Sequence, residues 1–338
     1  MRIRTVNSIY TLEESHPDDL FICSVSFEER CLNAASLLSK GYYATKRALV
    51  IRYSGENRRG FKNTHQDKLC KDILPSFTKD KEIGLLELDK YDVLSFWYNF
   101  EGCFGNKKNL RTITIDISTF TKSFLLVLLK FLRQNFPDSK VRILYTMAYY
   151  PTIPKNVHLS WGIKDIIFLP HFGSFKNAKN GKNLLFLFLG YEAERANGVW
   201  RFIEPTHTVA ILGEPPTYPR AESPARYLNR FILEHPETSV ETVSALNPIE
   251  SKEKINEWYK KKEYGDFLFF ISPLGTKMQV VGIYLFFEEH EPFTKAQIVY
   301  ALPARYNDER YSIGYEKGKV WECYLPEKGN HKQGQMDE

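Results

Sequence analysis

The chain repeats itself, and that repeat constrains its fold more than any other feature. The apolar run Phe21–Val25 leads into Ser26-Phe27-Glu28-Glu29-Arg30, and Leu184–Leu189 leads into Gly190-Tyr191-Glu192-Ala193-Glu194-Arg195. A second apolar run ends at Gly55-Glu56, and its counterpart ends at Gly213-Glu214. Trp97-Tyr98 recurs as Trp258-Tyr259, and Thr121-Lys122 recurs as Thr276-Lys277. Lys122 precedes Lys140 by 18 residues, as Lys277 precedes Lys295. The copies then run on in parallel, Tyr145 matching Tyr300 and Gly162 to Leu169-Pro170 matching Gly318 to Leu325-Pro326. Ordered landmarks at a nearly constant offset mark an internal duplication.

Each copy reads as alternating strands and helices. Apolar runs of strand length fall at 20–25, 48–53, 83–88, 112–117 and 141–147. In the second copy they fall at 184–189, 208–212, 239–243, 267–271 and 297–302. Continuous apolar strands separated by helical spacing predict a parallel sheet covered on both faces. The expected fold class is therefore α/β: two tandem Rossmann-like units, each a mainly parallel sheet with helices on both faces. The expected boundaries are 1–172 for the first repeat, 173–183 for a Gly/Asn/Lys-rich linker, 184–326 for the second repeat and 327–338 for a polar tail.

Composition narrows the class of function. Lys and Arg exceed Asp and Glu by 46 to 41 over 338 residues, too mild an excess to mark a nucleic-acid binder but compatible with an anionic ligand. The five cysteines are scattered and form no CxxC pair, so neither a disulfide framework nor a zinc site is expected. No cofactor or metal is expected. The N-terminal stretch lacks the apolar core of a signal peptide, and no apolar run approaches the ~20 residues of a membrane span. A cytoplasmic protein without a membrane partner is the expectation. His65, His158, His171 and His290 stand alone in sequence and read as surface or satisfied core residues.

In an open α/β sheet, ligands bind beyond the carboxyl ends of the strands. Three loops per copy are therefore candidates. The loop after the first strand carries Ser26, Glu28 and Arg30, matched by Gly190, Glu192 and Arg195. It opens a helix whose free N–H groups suit a phosphate, although Ser26 also fits a simple cap. The loop after the second strand carries Ser54-Gly55-Glu56-Asn57 and Gly213-Glu214, a weaker signal because any tight turn needs glycine. The loop after the fourth strand carries Asp116, Ser118, Thr119, Thr121 and Lys122, matched by Ser272, Gly275, Thr276 and Lys277. Hydroxyls and a lysine at a strand-to-helix turn suit an anion. Neither GxGxxG nor GxxxxGK[ST] is present.

The segments 116–122 and 272–278 resemble the Asp-x-Thr-Gly-Gly-Thr-Lys loop of CARF domains, the Rossmann-like sensors of CRISPR-associated proteins. That resemblance implies a cyclic oligonucleotide held across two units, with Ser118, Thr119, Thr121, Lys122, Ser272, Gly275, Thr276 and Lys277 contacting phosphates or ribose. Phe120 stands where the family has glycine, and Ile271 or Ser272 where it has aspartate. The expectation is a nucleotide-derived signal sensor of a prokaryotic antiviral defence system that passes its state to a separate effector protein. Two alternatives stand beside it. One is an enzyme cleaving a nucleotide or sugar phosphate with Glu28 or Glu192 as acid/base or nucleophile. The other is a structural or nucleic-acid-binding subunit of a defence complex, using basic stretches such as Arg58-Arg59 and Lys260-Lys262.

Overall fold

A computed structural model describes residues 1–14, 16–54, 60–104, 109–149, 158–173, 181–214, 224–291, 295–309, 311–312 and 314–327. A short β1 (Arg4–Val6) precedes β2 (Asp18–Val25), β3 (Thr45–Tyr53), β4 (Thr78–Leu88), β5 (Thr112–Asp116) and β6 (Lys140–Tyr145). After β7 (Ala148–Tyr149) and β8 (Ser160–Phe168), the second copy follows as β9 (Asn183–Leu189), β10 (His207–Glu214), β11 (Thr238–Ser244), β12 (Leu268–Pro273) and β13 (Ala296–Tyr306). It ends with β14 (Gly314–Tyr315) and β15 (Val320–Tyr324). All ten expected apolar runs are strands. They form two mostly parallel sheets flanked by helices, each with the same parallel order, β4-β3-β2-β5-β6 and β11-β10-β9-β12-β13.

The two copies also exchange a strand. β8, which follows the first copy's fifth strand, leaves its own sheet and pairs antiparallel with β13 of the other. Its counterpart β15 crosses back to pair antiparallel with β6, and β1 then covers the outer edge of β15. β7 and β14 on the two crossing segments pair with each other. The sheets therefore do not follow the sequence boundaries: β8 lies within 1–172 yet belongs to the second sheet, and β15 lies within 184–326 yet belongs to the first. Most of the expected linker and tail, residues 174–180 and 328–338, lies outside the described residues.

The helices repeat in step with the strands. In the first unit they are α1 (Asn33–Leu38), α2 (Phe61–Asp67), α3 (Val93–Gly102) and α4 (Lys122–Asn135). In the second they are α5 (Ala193–Ile203), α6 (Pro224–Leu228), α7 (Arg230–Leu233), α8 (Pro248–Tyr259) and α9 (Lys277–His290). Strand side chains alternate between faces. Phe21, Cys23 and Val25 face a core closed by α1, while Leu20 and Ile22 face a second core shared with α3 and α4. In the same way Leu185 and Leu187 face α5, whereas Leu184, Phe186 and Phe188 face α8 and α9. These inner cores are one continuous cluster, so the two units share their largest hydrophobic core.

The helices at its centre have no wet face along most of their length. Residues 123–133 of α4 and 277–287 of α9 are buried without interruption, as expected of helices that are apolar all round. Lys130 of α4 pairs with Glu291, and Arg133 Nε lies 2.7 Å from Glu288 Oε1, joining the far ends of these helices. No described helix is long and apolar enough to cross a membrane.

Helices α8 and α9 approach closely at Gly282. A Cβ there would lie 2.3 Å from the Pro248 carbonyl oxygen and 2.6 Å from Ser251 Cβ. Backbone cannot yield as a flexible side-chain end can. Gly282→Val should therefore cost about 3 kcal/mol, read as a lower midpoint in chemical denaturation with an unchanged slope.

Candidate functional site

Both fourth-strand loops arrive at one cleft between the units, and the helices that start there each carry a lysine at the first position. Thr121 stands at the N-cap position of α4 without a side-chain capping bond, and Thr276 caps α9 in a capping box with Gln279. Each lysine reaches the first-strand loop of the opposite unit. Lys122 Nζ donates to the Leu274 carbonyl at 2.8 Å and stands 3.9 Å from Glu192 Oε2. Lys277 lies in the field of Glu28 and Arg30.

The first-strand loops hold two closed carboxylate–guanidinium pairs. Arg30 donates from Nε and Nη2 to the two oxygens of Glu28, both at 2.9 Å, and from Nη1 to the Thr146 carbonyl. Arg195 Nη1 donates to Glu192 at 2.7 Å, while its Nε and Nη2 donate to the Ala301 carbonyl. Thr146 and Ala301 stand one residue past the matched Tyr145 and Tyr300, so the duplication extends to these contacts. Ser312 and Ser160 complete the carboxylates, each donating a hydroxyl proton.

Burial alone would raise both carboxyl groups. The Arg30 guanidinium outweighs it and holds Glu28 below its ordinary value, and Arg195 with Lys122 holds Glu192 at about 2. Ionised carboxylates clamped in this way have no proton to give, so the geometry does not favour Glu28 or Glu192 as general acid. Their work is to hold buried cations at the cleft.

The cleft has two lobes that share Lys277 and Tyr311. The first, about 90 Å³, is walled by Phe27, Tyr53, Phe120 and Tyr306, with Lys62, Lys90 and Arg305 among its charges. The second, about 110 Å³, is walled by Tyr145, Met147, Tyr149 and Tyr191, with Arg30 and Lys122. Cations outnumber carboxylates in each.

Burial pulls Lys122 down to about 8. It pulls Lys277 down well below its ordinary value, with Arg30 and Lys122 adding like-charge repulsion.

The sequence candidates divide between lining and support. Ser26, Glu28, Thr119 and Thr121 line the first lobe, and Lys277 lines both. Arg30, Lys122, Gly190, Glu192, Gly275 and Thr276 line the second. Asp116, Ser118, Arg195 and Ser272 line neither lobe and are buried behind it. Burial raises Asp116 to about 6; it accepts from the Ser118 N–H at 3.0 Å and from the Ser118 hydroxyl, which accepts from Thr146 N–H. That chain ends on the N–H of Thr146, the residue whose carbonyl receives Arg30, so Asp116 and Ser118 act by positioning.

The loop after β2 departs from the expected phosphate-binding helix start. It enters a 3-10 turn (Glu29–Leu32), and Ser26 Oγ accepts from Glu28 N–H. Gly190 is required by proximity, since a Cβ there would lie 2.6 Å from the Leu274 carbonyl oxygen. Of the second-strand loops, Ser54 lines the first lobe and Gly213 the second, while Gly55, Glu56 and Asn57 lie outside the described residues. Arg58 and Arg59 also lie outside them. Lys260–Lys262 follow α8 and precede β12, which places them at the opposite end of the sheet from the cleft.

Several lining residues were missed. Arg305 and Tyr306 end the fifth strand of the second copy, Asp308 and Tyr311 follow it, and Met147 and Tyr149 follow that of the first. The fifth strand's carboxyl end was the available signal, since it is as much a ligand-binding position as the other four.

No protein-family model matches the chain, and no curated protein matches it. Among solved structures, the cytoplasmic domain of a prokaryotic cation chloride cotransporter is similar at 9% identity and a TM-score of 0.27, over 88% of this chain and 98% of that one. A conserved hypothetical protein of Streptococcus pyogenes is similar at 12% identity and a TM-score of 0.24, over 45% of this chain and 80% of that one. Neither likeness is close enough to carry a fold or a ligand across.

Glu192→Gln leaves Arg195 and Lys122 buried without their carboxylate and should cost about 3–5 kcal/mol at neutral pH. The folded carboxyl titrates at about 2 against an ordinary 4.5, so its stabilisation is present above the ordinary value and lost as pH falls toward 2. Thermal melts should show the gap between wild type and variant closing across that window. A gap independent of pH would contradict the ion-pair assignment.

Proposed function

We propose that the protein binds a nucleotide-derived ligand in the cleft between its two units. The observation that carries this reading is the meeting of both fourth-strand loops in one cleft, where each lysine faces the Glu–Arg pair of the opposite unit. Such a site is complete only when both units are in place. A ligand seated there touches both and stabilises their mutual arrangement, which is what a sensor requires.

The wall chemistry supports a nucleotide over a bare anion. Aromatic rings line both lobes beside cations, and base–aromatic stacking is worth about 1–3 kcal/mol per base. The resemblance of the Thr-Lys loops to CARF domains points the same way, toward oligonucleotide signals in antiviral defence and a separate effector that reads the bound state. A cytoplasmic setting accords with that role. The clamped carboxylates favour binding over turnover.

A panel of mononucleotides, linear dinucleotides and cyclic oligoadenylates, each added to the intact protein in a thermal melt, tests the reading. A ligand at about a hundred times its Kd adds about 2.7 kcal/mol and should raise the midpoint by a few degrees. No shift with any nucleotide would overturn the proposal.

A further inference from the structure

The two lysines at the cleft are twins by sequence but differ in their contacts. Lys122 is satisfied, donating to the Leu274 carbonyl at 2.8 Å with Glu192 3.9 Å away. Lys277 is 9% exposed, and no described residue hydrogen-bonds or ion-pairs with its ammonium. The difference arises in the loops. Gly275 and Leu274 of the second copy replace Phe120 and Thr119 of the first, and the Leu274 backbone turns toward Lys122 without a matching carbonyl for Lys277. The neighbouring cations are already engaged: Arg30 is held by Glu28 and Thr146, and Lys62 donates to the Tyr53 carbonyl at 2.8 Å.

Lys277 is also where the two lobes meet. It lines both, and each lobe extends from it past aromatic walls, Phe27 and Tyr306 on one side and Tyr145 and Tyr191 on the other. Resting on the nucleotide reading above, we propose that the ligand is a linear dinucleotide, with one phosphodiester on Lys277 and one base in each lobe. A cyclic oligonucleotide would instead present matching phosphates to both lysines, and Lys122 has no matching vacancy.

A buried ammonium beside Arg30 and Lys122 is disfavoured in its charged form, and an anion seated on it relieves that cost. Glu28 and Glu192 act on Lys277 from a distance, but among the described residues neither touches its ammonium, and the phosphodiester takes that contact. Lys122, already paired, serves to hold the opposite unit's Leu274 loop in position.

Titration calorimetry on the full chain tests this with adenylyl-(3′,5′)-adenosine, its uncharged methylphosphonate analogue, AMP and cyclic tetra-adenylate. The dinucleotide should bind roughly tenfold to a hundredfold more tightly than the methylphosphonate, and more tightly than AMP. Lys277→Gln should lose the same factor for the dinucleotide and none for the methylphosphonate. Because the charge is also removed from the ligand, the result on wild-type protein stands even if the variant fails to fold. Equal affinity for the dinucleotide and its methylphosphonate would overturn the inference, as would binding of cyclic tetra-adenylate alone; either leaves the nucleotide reading intact. Binding of none of the four, with no shift across the wider nucleotide panel, would overturn both.

Discussion

The exchange of β8 and β15 is the constraint on which the rest of the structure depends. An antiparallel sixth strand completes each sheet, and in each case the chain that supplies it belongs to the other copy. The described ends of the crossing segments therefore lie at the carboxyl ends of the strands, where they bring Tyr149 and Leu159 to one lobe and Tyr311 to both. Helices α4 and α9 are forced side by side beneath them, which puts both helix starts, and both lysines, in the same cleft. The site is a consequence of how the duplicated halves interlock.

Burial then sets the electrostatics. Four charged groups of the two Glu–Arg pairs sit at 9% exposure or less and survive there because each guanidinium and carboxylate is satisfied several times over. Pairing of this kind contributes little net stability against an apolar alternative, but losing one partner is costly. It thus acts as a lock on geometry. Lys277 stands outside it, and that departure from the pseudo-symmetry gives the cleft its polarity.

Much of the fold was legible in the sequence. Ten apolar runs predicted ten strands because fully buried parallel strands leave an uninterrupted aliphatic signal, as in Leu184–Leu189. The repeat also matched Gly162–Leu169 to Gly318–Leu325, the segments that become β8 and β15. What periodicity lacks is partner choice: Ile166 and Ile167 look the same whether they pair with β6 or with β13. The cleft was legible to the same degree. The loops after the first and fourth strands were found from strand polarity alone; the same polarity marks Arg305 at the end of β13, while Lys62 on α2 carries no local mark and Tyr311 reaches the cleft through the crossing. Asp116 and Ser118 had the composition of ligand contacts yet serve as internal braces, because buried polar groups must satisfy one another.

Interlocking is the central claim, and cutting the chain tests it most directly. A protease site placed between residues 174 and 180 separates the sequence halves while leaving both exchanged strands intact. The account predicts that the cleaved halves co-migrate in size-exclusion chromatography as one particle of the uncut mass, 39.5 kDa, and melt in a single transition. Two folded fragments that separate without denaturant would contradict it.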